Sequence, residues 1–318
     1  MKRRTFALVT SLAVAASFAV APVQAQDQEL TIAESTPGFE FPFFVHMDKE
    51  IRAEAEAIGG IEILYFDGED EVPKQSEDVL AAVTQQVDGL LISPKDSVAM
   101  APAIQEAVDA GMPVMTIDRR VEGVEILGHV GADNVIGGER QGELIMATFP
   151  DGATIVELLG TPGSSPAIDR SQGVHNILDP VSDKYVFVAQ QTGDFKREEG
   201  ANVTEAILAG LDEPPDVIVA ANDDMALGAM TVAQEQGLDV AIIGFDALPE
   251  ALAAVRDGHV LGTVEQFPGG QSTTALNALV DYLRNDVQPE AVRLLPPEAI
   301  TADNIDIAER LGELEGAV

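Results

Sequence analysis

Aromatic rings, carboxylates, amides and guanidiniums recur along this 318-residue chain where short β-branched runs end: Phe43, Phe44, Asp118, Arg119, Phe195, Asn222, Asp246 and Gln266. A polyhydroxyl molecule requires this mixture. Its C–H faces pack on aromatic planes, and each hydroxyl both donates and accepts, so it needs fixed donors and acceptors in one dry cleft. Hydrogen bonds to charged groups are worth about 1.5–3 kcal/mol each, and several together offset the cost of dehydrating the hydroxyls. Each residue also has a plainer use. Phe43 and Phe44 would serve in a core at a helix start, Asp246 as a helix cap, and Asp118 with Arg119 as an internal ion pair, which is compatible with binding.

Other chemistries find little support. Ser164-Ser165 lies in a Gly/Pro/Ser loop but not in a G-x-S-x-G elbow, and the four histidines show no spacing that pairs them with a nucleophile or a metal. There is no P-loop, and Gly131 with Gly137-Gly138 does not make G-x-G-x-x-G after a first strand. Asp67-Gly68-Glu69-Asp70-Glu71 lacks the spacing of an EF-hand and reads as a solvated loop. No catalytic residue, cofactor or metal is therefore expected. The formal net charge of -36, from 54 acidic and 18 basic residues, argues against nucleic acid, whose phosphates need a basic footprint. So acidic a surface suits a salt-rich setting, where self-repulsion is screened. The absence of cysteine excludes disulfides and thiolate metal sites.

The elements that must position these groups alternate strand and helix. In Val217 to Asp246, the run Val217–Ala220 reads as a strand, Asp223 or Asp224 as the cap of a helix closed by Gly237, and Val240–Ile243 as the next strand. Ligands of open parallel sheets bind beyond the carboxyl ends of the strands, which is where Asn222 and Asp246 stand. The pattern recurs with strands at 30–34, 61–66, 89–92, 113–117, 154–158 and 185–189. Helices are expected at 72–86, 97–110, 135–149, 167–178 and 197–209, and another runs up to Gly59. Glycines after helices at 59, 111, 210, 237 and 258 read as left-handed caps. The fold class is α/β, with two similar doubly wound parallel-sheet domains joined by a multi-strand hinge. One lobe is expected at residues 26–132 plus 267–295 and the other at 133–266 plus 296–318, with Asp133-Asn134 a turn near the first crossing.

Several motifs in order resemble one family: Pro42-Phe43-Phe44, Ile117-Asp118-Arg119, Asp133-Asn134 before Gly137-Gly138, Asn222-Asp223 with Met225-Ala226-Leu227-Gly228, Gly244-Phe245-Asp246 and Thr263-Val264-Glu265-Gln266. The chain resembles periplasmic solute-binding proteins of the ribose-binding type, with the type I fold, over nearly all its length beyond residue 25. The resemblance implies that Phe43, Phe44 and Phe195 sandwich a sugar while Asp118, Arg119, Asn222, Asp246 and Gln266 bond its hydroxyls. It also implies a protein that hands its ligand to a membrane ABC permease and, in some members, reports to a chemoreceptor; a monomer is expected. Two departures bear on the ligand. Phe41 stands where ribose binders carry asparagine, and a second family arginine falls on Ile168, with Arg140 and Arg170 read as scaffold. Phe41 and Ile168 are thus the expected seat of specificity, and a sugar or sugar alcohol other than ribose the expected ligand.

Lys2, Arg3 and Arg4, the apolar run Phe6–Val20 and the A-x-A-like Val23-Gln24-Ala25 read as a secretory signal cleaved after Ala25, so a periplasmic location is expected. Arg3-Arg4 also fits a twin-arginine signal. An exported Rossmann-type oxidoreductase would share the strand-end Asp and Asn but lacks its glycine fingerprint. A receptor-coupled sensor would share the fold.

Overall fold

The computed structural model describes residues 29–314, so the expected export signal at residues 1–25 lies outside them. In chain order the first elements are β1 (Leu30–Thr36), α1 (Pro42–Ile58), β2 (Ile61–Asp67), α2 (Val72–Gln85), β3 (Gly89–Ile92), α3 (Ala101–Asp109), β4 (Val114–Ile117) and β5 (Gly128–Ala132). Then follow α4 (Asn134–Thr148), β6 (Ala153–Leu159), α5 (Ser165–Leu178), β7 (Tyr185–Thr192), α6 (Arg197–Gly210), β8 (Val217–Ala220), α7 (Asp223–Gln236) and β9 (Ala241–Ile243). The last are α8 (Pro249–Arg256), β10 (Thr263–Glu265), α9 (Pro268–Asn285), β11 (Val292–Leu295), β12 (Glu298–Ile300) and α10 (Leu311–Leu314). Among the described residues no helix is long and apolar enough to cross a membrane.

One sheet runs in the order β11-β5-β4-β3-β1-β2, with every pair parallel. The other runs β7-β6-β8-β9, also parallel. A bridge from Ile243 to Gly262 brings β10 to its edge, and β10 carries the antiparallel β12. The chain therefore passes between sheets after β5, after β10 and between β11 and β12. Central strands β3, β4 and β8 are buried along their whole length, which is why they read as unbroken apolar runs. Helices α1 and α9 pack together on the first sheet, opposite α2 and α3. In the second lobe α4 and α5 cover one face and α6 and α7 the other.

Three local expectations change. Asn222, not Asp223 or Asp224, caps α7, its Oδ1 accepting the Met225 N–H at 3.0 Å. Gly210 is the last residue of α6 rather than a left-handed cap, whereas Gly111, Gly237 and Gly258 take positive φ. Helix α3 starts at Ala101 because Asp96 Oδ1 accepts the N–H of Val98 and of Ala99 and holds that stretch as a turn.

Candidate functional site

The strand ends of the two sheets face each other across a small cavity. From the first lobe come Asp118 and Arg119, directly after β4. Asp118 has φ +61°, an uncommon conformation for a residue with a side chain, and it is stabilised by its N–H bonding the Val130 carbonyl at 2.9 Å. Ser93 Oγ donates to Asp118 Oδ2 at 3.1 Å, and Arg119 Nε lies 3.7 Å from the same oxygen. Arg119 Nε has no hydrogen-bond partner among the described residues, although the side chain is buried. Its guanidinium sits over Phe44 at 5.3 Å and over Phe195 of the opposite lobe at 5.5 Å, both within cation–π range.

Phe41, Phe43 and Phe44 surround the start of α1. Pro42 fixes the first helical φ, so the rings project from a preset turn. Phe43 and Phe44 meet edge to face at 5.4 Å, and Phe41 meets Phe44 at 6.0 Å. All three line the cavity and also belong to the buried core beneath it, so for Phe43 and Phe44 the two uses coexist.

The second lobe supplies Phe195, Asn222, Asp246 and Gln266. Asp194 and Phe195 both take positive φ in the loop after β7, and Gly160 leaves the space that the Phe195 ring fills. Asn222 Nδ2 donates to the Phe195 carbonyl at 3.0 Å, so this amide links the helix cap to the aromatic loop. Asp246, with φ +110°, accepts from Gln266 Nε2 at 2.6 Å and from Arg170 Nη1 at 3.3 Å. Gln266 is in turn held by Gln271 Nε2, which donates to its carbonyl at 2.8 Å.

Electrostatically the cavity is balanced, two guanidiniums against Asp118 and Asp246. Burial pushes Asp246 up to about 7 against the pull of Arg170. Burial raises Asp118 too, opposed by Arg119 and Arg170, and it lowers both arginines. Asp223, deeper still, has its carboxylate taken up by Thr263 Oγ1 and the Leu248 N–H, both at 2.7 Å, and is structural. Asp224 reaches the cavity wall but pairs with Arg197 at 3.1 Å.

The structure overturns the placement of Ile168. That side chain is 52% exposed and lies in an outer depression with Pro162, Ser171 and Thr192, away from the cavity. Arg170, read as scaffold, is 3% exposed and lines the cavity instead, together with Pro166. Two residues along a helix turn a side chain to another face. The signal was present in the spacing: Ala167, Arg170, Val174 and Leu178 form the buried stripe of α5, and Ile168 is off it. Arg170 thus brings a second guanidinium to the cavity, and of the two expected specificity positions it is Phe41 that lines it.

Beside the cavity the lobes touch directly. Lys196 Nζ bonds Glu40 Oε1 at 2.9 Å and Asp70 Oδ2 at 2.7 Å, and it lies 6.0 Å over the Phe41 ring. Burial pushes Asp70 up, but hydrogen bonds from Lys196 and Lys95 together bring it below the usual range. Elsewhere Arg120 grips both oxygens of Asp169, its N–H bonds Ser165 Oγ at 3.0 Å, and the Ser97 N–H reaches the Gly163 carbonyl at 3.0 Å.

The sequence profile of the periplasmic binding protein domain matches residues 32–286. The chain is similar to the ribose import binding protein of Bacillus subtilis, 38% identical over 258 residues that cover 80% of this chain and 82% of that protein. The crystal structure of the Caulobacter myo-inositol binding protein bound to myo-inositol matches with a TM-score of 0.86 and 38% identity, over 91% of this chain and 98% of that one. A xylitol-binding protein of Mycolicibacterium smegmatis is 29% identical over 289 residues, 88% of this chain and 82% of that protein. With its paired parallel sheets and the cavity between their strand ends, the chain belongs to the periplasmic binding protein family, in its two-lobed type I form.

Proposed function

We propose that the chain is the periplasmic solute-binding component of an ABC importer and closes two lobes, 26–132 with 267–295 and 133–266 with 296–318, on an uncharged sugar or sugar alcohol. The observation that carries the choice of ligand is the charge balance in the cavity. Each guanidinium has a carboxylate facing it, so a carboxylated or phosphorylated ligand would leave a buried charge without a partner. Hydroxyls impose no such cost, since they accept from Arg119 and Arg170 and donate to Asp118 and Asp246. Rings from both lobes offer faces to the C–H surfaces between them. The relatives bind ribose, myo-inositol and xylitol, which are neutral polyols of different size and ring closure. Phe41 adds apolar surface where ribose binders carry an amide, which favours a ligand other than ribose. Closure would present both lobe surfaces together to a membrane permease, and the ligand stabilises that form through its contacts with both lobes.

A thermal-shift and calorimetric screen with myo-inositol, D-ribose, xylitol, D-allose and D-glucuronate tests the reading. A neutral polyol should raise the melting temperature with concentration and bind in the micromolar range or tighter. Tightest binding by glucuronate would sink the proposal.

A further inference from the structure

We propose that Asn134 is a positioning residue for the cavity: it fixes the plane of the Arg170 guanidinium against Asp246 and ties that plane to the first passage of the chain between the lobes. The inference rests on the polyol reading above, because it concerns a group of that same site. Asn134 does not line the cavity; it lies behind Arg170 and is 4% exposed. Its Oδ1 accepts from Arg170 Nε at 2.8 Å, and its Nδ2 donates to the carbonyl of Ala132, the last residue of β5, at 3.3 Å. Arginine offers only donors, so the oxygen of the amide must be the atom that faces it.

A guanidinium is planar. Once Nε is anchored at Asn134 and Nη1 at the Ala221 carbonyl, 2.7 Å away, rotation about the Cδ–Nε bond is blocked. Its Cζ then lies 3.7 Å from the Phe245 ring centroid, and Nη1 is directed towards Asp246. Without the Asn134 oxygen the Nε–H would be a buried donor with its acceptor removed, and the guanidinium would turn to find another. Capping does not account for Asn134, since Asp133 Oδ1 already accepts the Ile136 N–H at 3.2 Å. The backbones on which the pair stands are also clamped. A side chain at Gly138 would collide with the Arg170 carbonyl, and one at Gly173 with the Val135 carbonyl, so α4 and α5 touch main chain to main chain. Their close approach, not the reach of flexible side chains, sets the spacing of Asn134 and Arg170.

The test is a double-mutant cycle of Asn134→Leu and Arg170→Met with two readouts. Calorimetry with myo-inositol, D-ribose and xylitol should show binding weakened about tenfold by Asn134→Leu, the loss expected for one hydrogen bond to a charged group. In the Arg170→Met background the same change should cost less than about twofold. Carboxyl NMR of the ligand-free protein should show the Asp246 titration moved upwards by either single substitution and no further by the second. An equal loss in both backgrounds, or an Asp246 titration unmoved by Asn134→Leu, would overturn the proposal. Asn134→Ala repeats the cycle if the leucine variant does not fold. Wild-type protein gives a variant-free arm, in which the Arg170 Nε–H must exchange slowly; fast exchange refutes the anchoring. If wild type binds none of the three polyols, the polyol reading fails, while the titration and exchange arms still decide the role of Asn134.

Discussion

Burial carries Asp246 up to about 7, while Arg170 and the Gln266 amide pull it down. A ligand hydroxyl that donates to it favours the ionised form. Affinity for the ligand should therefore weaken as pH falls below about 7, and calorimetry in buffers of different ionisation enthalpy should register proton release on binding near that pH. The ligand-free protein behaves oppositely. A carboxyl whose folded pKa is raised contributes stability that is complete below its unfolded value of about 3.9 and is lost as pH climbs through about 7. Melting curves of Asp246→Asn should accordingly depend less on pH between about 4 and 8 than those of wild type, while the variant binds ligand at least tenfold more weakly. Phe41→Asn restores an amide where the ring now stands, and it should raise affinity for D-ribose relative to myo-inositol; an unchanged ratio would remove Phe41 as a determinant of specificity. Asp118, Asn222 and Asp246 were legible from sequence because each stands within three residues of the end of a buried strand, where the α/β topology puts ligands. Arg170 was not, because a motif register placed Ile168 in its stead, and only the apolar stripe of α5 could have corrected that.

Most strands and helices could be read from their patterns for a simple reason: buried parallel strands are unbroken apolar runs, and glycine punctuates the helix ends. Strand β5, Gly128–Ala132, escaped because two glycines and His129 interrupt it, and β11 because Val292, Arg293 and Leu294 are exposed at a sheet edge. The helix pair α4 and α5 illustrates what patterns do not show. Gly138, Gly142 and Gly173 look like weak points of helix propensity, yet they let the two backbones meet. Gly138→Ala should cost about 1–3 kcal/mol in chemical denaturation through overpacking, where an exposed helical glycine would gain stability from the same change. Strand β1 carries another buried device. Glu34 is fully buried on the sheet face towards Asp48 and Arg52, and burial raises its pKa well above the usual range, with Asp48 adding to the effect. Burial of this kind favours the neutral form. Glu34→Gln should thus leave stability within about 1 kcal/mol of wild type at neutral pH, and it should remove the loss that wild type suffers as pH rises through the folded pKa.

Across the whole molecule, ion pairs join the two lobes beside the cleft. Lys196 bridges Glu40 and Asp70, and Arg120 grips Asp169 elsewhere between the lobes. Such partly exposed pairs are each worth up to about 1 kcal/mol and are screened by salt. Lys196→Ala should weaken ligand binding by up to about fivefold, with a smaller penalty at molar salt, and small-angle scattering should show a more expanded ligand-free form. Loss of affinity that persists unchanged at high salt would point to lost packing on Phe41 instead.

The paths that carry the chain between sheets also order its folding. Strand β11 completes the first sheet at β5, and α9 lies against α1, so neither reaches its place until residues past 267 have been made. A chain that emerges N-terminus first holds its opening lobe unfinished while the whole second sheet appears. Contacts so distant in sequence close slowly. The opening lobe should thereby be completed late, and the last segment it receives, 286–295, is the one whose removal should most impair its refolding.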